Sequence, residues 1–338
     1  LKIFATLLLI ALVCAAFVAY AVYAPTGPPA GTSDQNATFV DIAPGTGTQA
    51  MAEQLERAGV LRSRFAFDLL RAIEGGKLIA GEYRFNHPAS AAEVYARITR
   101  GDVYTISLTI PEGYNIFDIA QAVQAAGLGS RDGFLKAART QTGLIKDLSP
   151  HAPSLEGYLF PDTYRFARHV PPVEILAAMV KRFRQVALSI SLISTAEPSP
   201  SLQKKVILAS LIEKEVAQPS ERPLVAGVFE NRLAQNMPLQ TDPSVIYAAL
   251  LEDHYRGTIY ASDLKSDSPY NTYRHTGLPP GPICNPGVAA LKAAMAPAAT
   301  DYLYFVSDAQ GHSRFSATLK EHGQQVQAYR HAAAHPSR

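Results

Sequence analysis

From Ile3 to Ala24 the chain runs 22 residues without a charge, mostly Leu, Ile, Val, Ala and Phe. This run limits the possible folds more than any other feature. A helix of about 20 apolar residues crosses the hydrocarbon core of a bilayer. Lys2 precedes the run, and Tyr20 and Tyr23 stand at its far end, where interfacial aromatics collect. A cleaved secretory signal is the rival reading. Its apolar core spans about 7–15 residues and leads into a small-x-small cleavage site. The run here is too long for that. The expectation is an uncleaved single-pass anchor over residues 1–24, with everything after it outside the cytoplasm.

The composition is that of a folded protein. At 338 residues the chain has room for two or three domains. Hydrophobic residues make up 47% and charged residues 18%, which excludes a disordered chain. A net charge of +2 offers no argument for nucleic-acid binding. Cys14 lies inside the apolar run and Cys284 far downstream, so no disulfide framework is expected. There is no His-Glu-x-x-His and no His/Cys cluster with zinc spacing, so a zinc amidase or peptidase lacks its ligands. Neither a metal nor a cofactor is expected.

The pattern predicts an α+β protein in several parts. Residues 25–37 are rich in Pro, Gly, Thr and Ser and form a linker. Residues 38–102 form a small unit. It has a strand at Thr38 to Ile42, a helix through Met51, Leu55 and Val60, and a second helix near Arg64 to Ile73. A strand at Gly81 to Phe85 and a helix at Ala91 to Arg100 complete it. Ser90 and Glu93 have the spacing of a capping box. Gly45-Thr46-Gly47-Thr48 lacks the further glycines and the Lys-Ser/Thr of a phosphate loop, and reads as a turn before a helix.

Residues 103–330 form a mixed α+β domain. Val103 to Ile110 alternates as a strand. Helices fit Ile116 to Ala126, Asp132 to Arg139, Pro172 to Ser189, Ser201 to Val216, Ser220 to Gln235, Asp242 to Leu251 and Gly287 to Ala296. Ser220 and Asp242 are expected as N-caps, the latter followed by Pro243. Tyr270 to Gly287 is irregular and dense in Pro and Gly, and long ordered loops often carry function. Leu303 to Ser307 and Ser313 to Ser316 read as a hairpin closed by a turn over 308–311. Residues 331–338 read as a frayed tail.

One helix carries a candidate acid. At about 100° per residue, Ile207, Leu208, Leu211 and Ile212 form an apolar stripe. Glu215 follows Ile212 by three residues, Leu211 by four and Leu208 by seven, so it falls near the middle of that stripe, while Glu213 points roughly the other way. A carboxyl held against apolar surface is harder to ionise. A raised pKa suits a general acid near neutral pH. Periodicity alone leaves the alternative open that Glu215 ends the helix with its head in water.

Several segments together resemble the YceG-like family, the MltG-type endolytic murein transglycosylases. They are Leu155 to Tyr164 (Leu-Glu-Gly-Tyr-Leu-Phe-Pro-Asp-Thr-Tyr), Ala209 to Glu215 (Ala-Ser-Leu-Ile-Glu-Lys-Glu), Val228 to Leu233 (Val-Phe-Glu-Asn-Arg-Leu) and Leu239 to Pro243 (Leu-Gln-Thr-Asp-Pro). Further along come Ser268 to Tyr273 (Ser-Pro-Tyr-Asn-Thr-Tyr), Gly277 to Ile283 (Gly-Leu-Pro-Pro-Gly-Pro-Ile) and Tyr302 to Val306 (Tyr-Leu-Tyr-Phe-Val). Order and spacing agree over nearly the whole chain. Departures are small: Glu230 precedes the Asn-Arg-Leu, and Cys284 replaces a smaller residue.

The resemblance implies an N-terminal transmembrane helix in the inner membrane, a LysM-like subdomain over 38–102 and a periplasmic catalytic domain over 103–330. It implies cleavage of the β-1,4 bond between N-acetylmuramic acid and N-acetylglucosamine in nascent peptidoglycan strands, with peptidoglycan synthases of the penicillin-binding class as candidate partners. The family's catalytic acid maps onto Glu215. Substrate-binding roles fall to Glu156, Gln240, Thr241, Asp242, Tyr270, Asn271 and Tyr273, although Asp242 also fits an N-cap and Glu156 a turn brace. A binding scaffold that holds glycan without cutting it is the alternative of another class. The carboxyl on an apolar face separates the two, because a pure binder has no use for it.

Overall fold

The computed structural model describes residues 2–28, 37–194, 201–216, 218–308 and 312–334. Most of the expected linker, most of the turn after Asp308 and the last four residues lie outside the described residues. The architecture is α+β. Among the described residues there are twelve α-helices and three two-stranded sheets. The chain divides into two compact units, Leu1–Ile106 and Ser107–Arg338.

The first unit opens with α1 (Lys2–Tyr23), long and apolar enough to cross a membrane, with a mean hydropathy of 2.7. Its side chains are exposed along most of its length, and only Val22 near its end is buried. β1 (Thr38–Ile42) pairs antiparallel with β2 (Gly81–Phe85), Val40 opposite Tyr83. Alternation puts Val40, Ile42, Tyr83 and Phe85 on one buried face. Between the strands, α2 (Thr48–Arg57) and α3 (Arg64–Glu74) pack on each other, and α4 (Ala91–Arg100) packs on α3. Met51, Leu55, Phe67, Leu70, Val94, Tyr95 and Ile98 supply the apolar core against that sheet face. The Ser90–Glu93 capping box forms in both directions. α4 stops at Gly101, whose φ of 72° is the left-handed geometry that favours glycine.

β3 (Ile106–Thr109) begins the second unit's sheet with β4 (Thr163–Phe166). It is shorter than the expected strand because Tyr104 N–H is already bonded to the Glu82 carbonyl at 2.7 Å. Helices α5 (Ile116–Ala125), α6 (Arg131–Thr140) and α7 (Pro172–Ser189) come next, with α6 packed on both others. At the centre runs α8 (Leu202–Glu215), against α9 (Arg222–Ala234), α10 (Asp242–Leu251) and α11 (Val288–Met295). The expectation of a single apolar stripe on α8 is corrected here. Every residue from Val206 to Ile212 is buried, because neighbouring helices flank α8 on several sides. Ser210 fits this setting: its hydroxyl donates to the Ile207 carbonyl at 2.7 Å and accepts from Ile283 N–H at 3.1 Å.

Both expected N-caps differ. A short 3₁₀ turn, Pro219–Glu221, precedes α9, so Ser220 is not its cap. Asp242 is the first helical residue of α10 and makes no capping bond. β5 (Tyr304–Ser307) and β6 (Ser313–Ser316) pair antiparallel as expected. α12 (Leu319–Ala334) was not expected, and it runs into the supposed tail. Its start is a Thr318–Glu321 capping box, with reciprocal bonds of 3.2 Å.

Candidate active site

Glu215 is the last residue of α8, and the chain turns extended at Val216. Leaving the helix there puts Glu215 in the lining of a cavity of about 280 Å³. α9 contributes Phe229 and Arg232, which lie about one helical turn apart. Leu239, Gln240 and Thr241 come from the segment before α10, and Asp242 from its first turn. Tyr273 enters from the Pro/Gly-rich loop, Phe305 from β5 and His322 from α12.

The electrostatics favour a protonated acid. Burial, and then the nearby Asp242 carboxylate, push the Glu215 pKa up to about 7, against a smaller opposing pull from Arg232. Among the described residues the Glu215 carboxyl makes no hydrogen bond, which leaves it free for a ligand. Arg232 is fixed. Its Nε donates to the Leu303 carbonyl at 2.7 Å, and its Nη1 to the carbonyls of Leu239 and Pro238 at 2.8 and 3.2 Å. The guanidinium also lies 5.2 Å from the centre of the Tyr304 ring. Asp242 accepts from the Tyr273 hydroxyl at 2.6 Å. Gln240 has φ of +53°, a conformation few non-glycine residues adopt, and its N–H is pinned to the Thr272 carbonyl at 3.1 Å. Thr241 N–H donates to Thr272 Oγ1 at 2.9 Å.

The structure therefore brings Glu215, Gln240, Thr241, Asp242 and Tyr273 together. It does not bring Glu156, Tyr270 or Asn271 to the same cavity. Glu156 is buried, and its oxygens accept from Ile116 N–H at 2.9 Å and Asn285 Nδ2 at 2.8 Å. Burial outweighs these bonds and raises its pKa to about 8. Asn271 is enclosed in the loop. Its Nδ2 donates to the carbonyls of Ser266 and Leu264 at 2.7 and 3.1 Å, and its Oδ1 accepts from Tyr273 N–H at 3.0 Å. It shapes the backbone that presents Tyr273. Tyr270 is buried against the Tyr247 ring, centroids 5.2 Å apart. Glu213 does face away from the cavity. It forms a buried ion pair with Arg222 at 2.7 Å and accepts from Gly287 N–H at 2.9 Å.

Sequence reasoning gave no role to Arg232, Phe229, Phe305 or His322. Arg232 stood inside a quoted motif, and only its contacts reveal its part. His322 stacks on Tyr304 with centroids 5.3 Å apart, and its buried Nδ1 has no partner. Burial, and then Arg232, lower its pKa, so the ring is neutral at pH 7. The readable signal for it was the Thr318–Glu321 capping box.

Known proteins share this arrangement of chain. The sequence profile of the YceG-like family matches residues 40–328. An endolytic murein transglycosylase of Bacillus subtilis (strain 168) is 33% identical over 318 residues, covering 89% of this chain and 87% of that one. A protein of the same name from Streptococcus pneumoniae (strain ATCC BAA-255 / R6) is 29% identical over 337 residues, covering 88% of this chain and 59% of that one. A crystal structure of a YceG-like protein from Listeria monocytogenes superposes with a TM-score of 0.55 at 31% identity. It covers 86% of this chain and 99% of that chain. With a profile match across both units and a relative that aligns over most of both chains, the chain belongs to the YceG-like family.

Proposed function

We propose that this chain is a membrane-anchored endolytic lytic transglycosylase that cuts peptidoglycan glycan strands, with Glu215 as acid and then base. The observation that carries the reading is the Glu215 carboxyl: without a hydrogen bond among the described residues, in the lining of a cavity, with its pKa raised to about 7. Protonated Glu215 gives its proton to the oxygen joining muramyl C1 to the next sugar. The C1–O bond breaks and the leaving sugar departs as an alcohol. The resulting carboxylate takes the proton of the muramyl C6 hydroxyl, whose oxygen bonds C1 and closes a 1,6-anhydro ring. No water is consumed. Intramolecular attack carries an effective molarity on the order of 10⁵ M or more in favourable cases.

The neighbours fit these steps. Asp242, beside Glu215, faces the positive charge that grows at C1, where a fixed carboxylate stabilises an oxocarbenium-like state. Arg232 favours the carboxylate that Glu215 becomes. Gln240, Thr241 and Tyr273 line the wall with groups able to bond sugar hydroxyls and N-acetyl groups. Apolar α1 holds the enzyme in the inner membrane with the second unit in the periplasm, near strands still being made and near their synthases.

Asp242 also supports a second reading. Glycoside hydrolases use two carboxyl groups, and Asp242 shares the cavity with Glu215. Digestion of purified glycan in ¹⁸O water separates the two. New muramyl ends are expected to be 1,6-anhydro and free of ¹⁸O. Reducing ends that carry ¹⁸O would overturn the transglycosylase reading and promote Asp242 to second catalytic carboxylate.

A further inference from the structure

α3 is apolar on two faces. Ala66, Phe67 and Leu70 are buried in the core of the first unit. At about 100° per residue, Phe65, Leu69, Ala72 and Ile73 fall within one arc of about 100° on the other side. They point outward: Phe65 is 69% exposed, Leu69 36% and Ile73 72%. Arg64, Asp68 and Arg71 lie along one flank of this arc and Glu74 behind it, so the arc itself carries no charge after Arg62. A helix on the surface of a water-soluble domain puts polar residues there. A contiguous exposed apolar face marks a surface that meets something other than water.

The position of that face identifies what it meets. α3 packs against the end of α1 within the same unit. Phe17, Val18, Tyr20, Ala21 and Val22 of α1 line one apolar cleft of about 310 Å³ with Phe65, Ala66 and Leu69 of α3. Phe17 stands six residues before Tyr23, about 9 Å back along a helix axis. The first turns of α3 therefore lie level with the last two turns of the apolar helix. Arg62 crosses this junction, its guanidinium 4.8 Å from the centre of the Tyr20 ring. An arginine beside an interfacial tyrosine, with apolar side chains below it, matches the layering of lipid headgroup over acyl chain.

We propose that α3 is a membrane-interface helix. Its Phe65–Leu69–Ala72–Ile73 face rests in the headgroup and acyl boundary of the bilayer that α1 crosses, with Arg62 at the phosphate level. This rests on reading α1 as a membrane span. It goes further, because a span alone does not set which face of the first unit meets the lipid as the unit turns about the α1 axis, whereas a second contact does. Interfacial helices bind through buried apolar area together with attraction of basic side chains to anionic lipid.

The chain contains no tryptophan, so each introduced one reports its own surroundings. Four single substitutions of the full chain are reconstituted into phosphatidylethanolamine–phosphatidylglycerol vesicles, with and without brominated acyl chains. They are Phe17→Trp in α1, Phe65→Trp and Ile73→Trp on the proposed face, and Arg57→Trp at an exposed site on α2. Brominated lipid is expected to cut emission about twofold or more at Phe17→Trp, Phe65→Trp and Ile73→Trp, and to leave Arg57→Trp unchanged. Quenching at Phe17→Trp alone overturns the proposal and leaves the span intact. Blue-shifted but unquenched emission at Phe65→Trp and Ile73→Trp also overturns it, in favour of a protein partner or a second copy. No quenching at Phe17→Trp removes the span, and the proposal falls with it.

Discussion

Cleavage is expected to fall steeply above neutral pH. A general acid must be protonated to work, and Glu215 has a pKa of about 7. Its protonated fraction is then about nine-tenths at pH 6, one-half at pH 7 and one-hundredth at pH 9. Activity limited by this acid falls about 90-fold from pH 6 to pH 9. Asp242→Asn tests the cause. The Asp242 charge raises the Glu215 pKa, so removing it moves the descending limb to lower pH. Burial is the larger cause and exceeds the pull of Arg232, so the limb still stays above the ordinary glutamate value of 4.5. At pH 8 the variant loses more activity than at pH 5, and each unit of displacement reads as about tenfold at high pH. The assay is the initial rate of anhydro-end formation at low glycan concentration, where kcat/KM reports the free enzyme's ionisations. Asp242 also bonds Tyr273, so a uniform drop in rate is compatible with lost substrate contact. The midpoint, and not the height, carries the test. A wild-type profile flat to pH 9, or a limb that moves upward in Asp242→Asn, would refute the argument.

The same contacts set further outcomes. Glu215→Gln is expected to abolish cleavage with folding unchanged, since the amide keeps the shape but has no acidic proton. Glu213→Gln is expected to cut glycan when folded but to lose on the order of 3 kcal/mol of stability, because it leaves the buried Arg222 with only the longer 3.9 Å pairing to Glu112. Urea melts together with initial rates separate these outcomes, and the reverse pattern would sink the assignment. Ile116 N–H and Asn285 Nδ2 donate to different oxygens of Glu156, so Glu156→Gln keeps an acceptor for one and sets its amide NH₂ against the other, at a cost of about 1–3 kcal/mol. Glu156 holds its proton more tightly folded than unfolded. Its contribution to stability is full below about pH 4.5 and declines as pH rises to about 8. The urea midpoint is therefore expected to depend less on pH across that window in the variant, and an unchanged slope would count against a buried neutral Glu156. His322→Leu removes a neutral imidazole from the cavity wall, and a lost bond to the sugar lowers kcat/KM about tenfold. Unchanged kinetics in a folded His322→Leu protein would assign the ring to packing alone.

What the sequence shows and what it hides divide by the range of the interaction. Ser90 with Glu93 and Val40 with Ile42 are set by neighbours a few residues away, and both read correctly from pattern alone. The direction of Glu215 is also local. Successive helix positions turn by about 100°, so Glu213 and Glu215 must face apart, and one meets Arg222 while the other meets the cavity. The expected stripe on α8 failed for a non-local reason. Periodicity reports a half-buried helix, and a helix enclosed by three others loses the contrast on which the signal depends. Ser220 failed because a 3₁₀ turn inserted itself ahead of α9, where Glu221 instead takes the Ser313 N–H at 2.9 Å.

The cavity walls are long-range throughout. Tyr273 meets Asp242 across 31 residues, and Arg232 meets the Leu303 carbonyl across 71. No short window on the chain contains both partners. A motif could name Gln240, Thr241 and Asp242 together because they are adjacent, and the same adjacency hid that Asn271 and Tyr273, two residues apart, have opposite tasks. Asn271 spends its amide on loop carbonyls and offers its oxygen to Tyr273 N–H. That bond leaves the Tyr273 ring as the part of the loop that reaches the acid's neighbour. The loop thus bears on Glu215 through one hydroxyl, since the Tyr273 bond to Asp242 holds in place the charge that, second to burial, raises the Glu215 pKa to about 7.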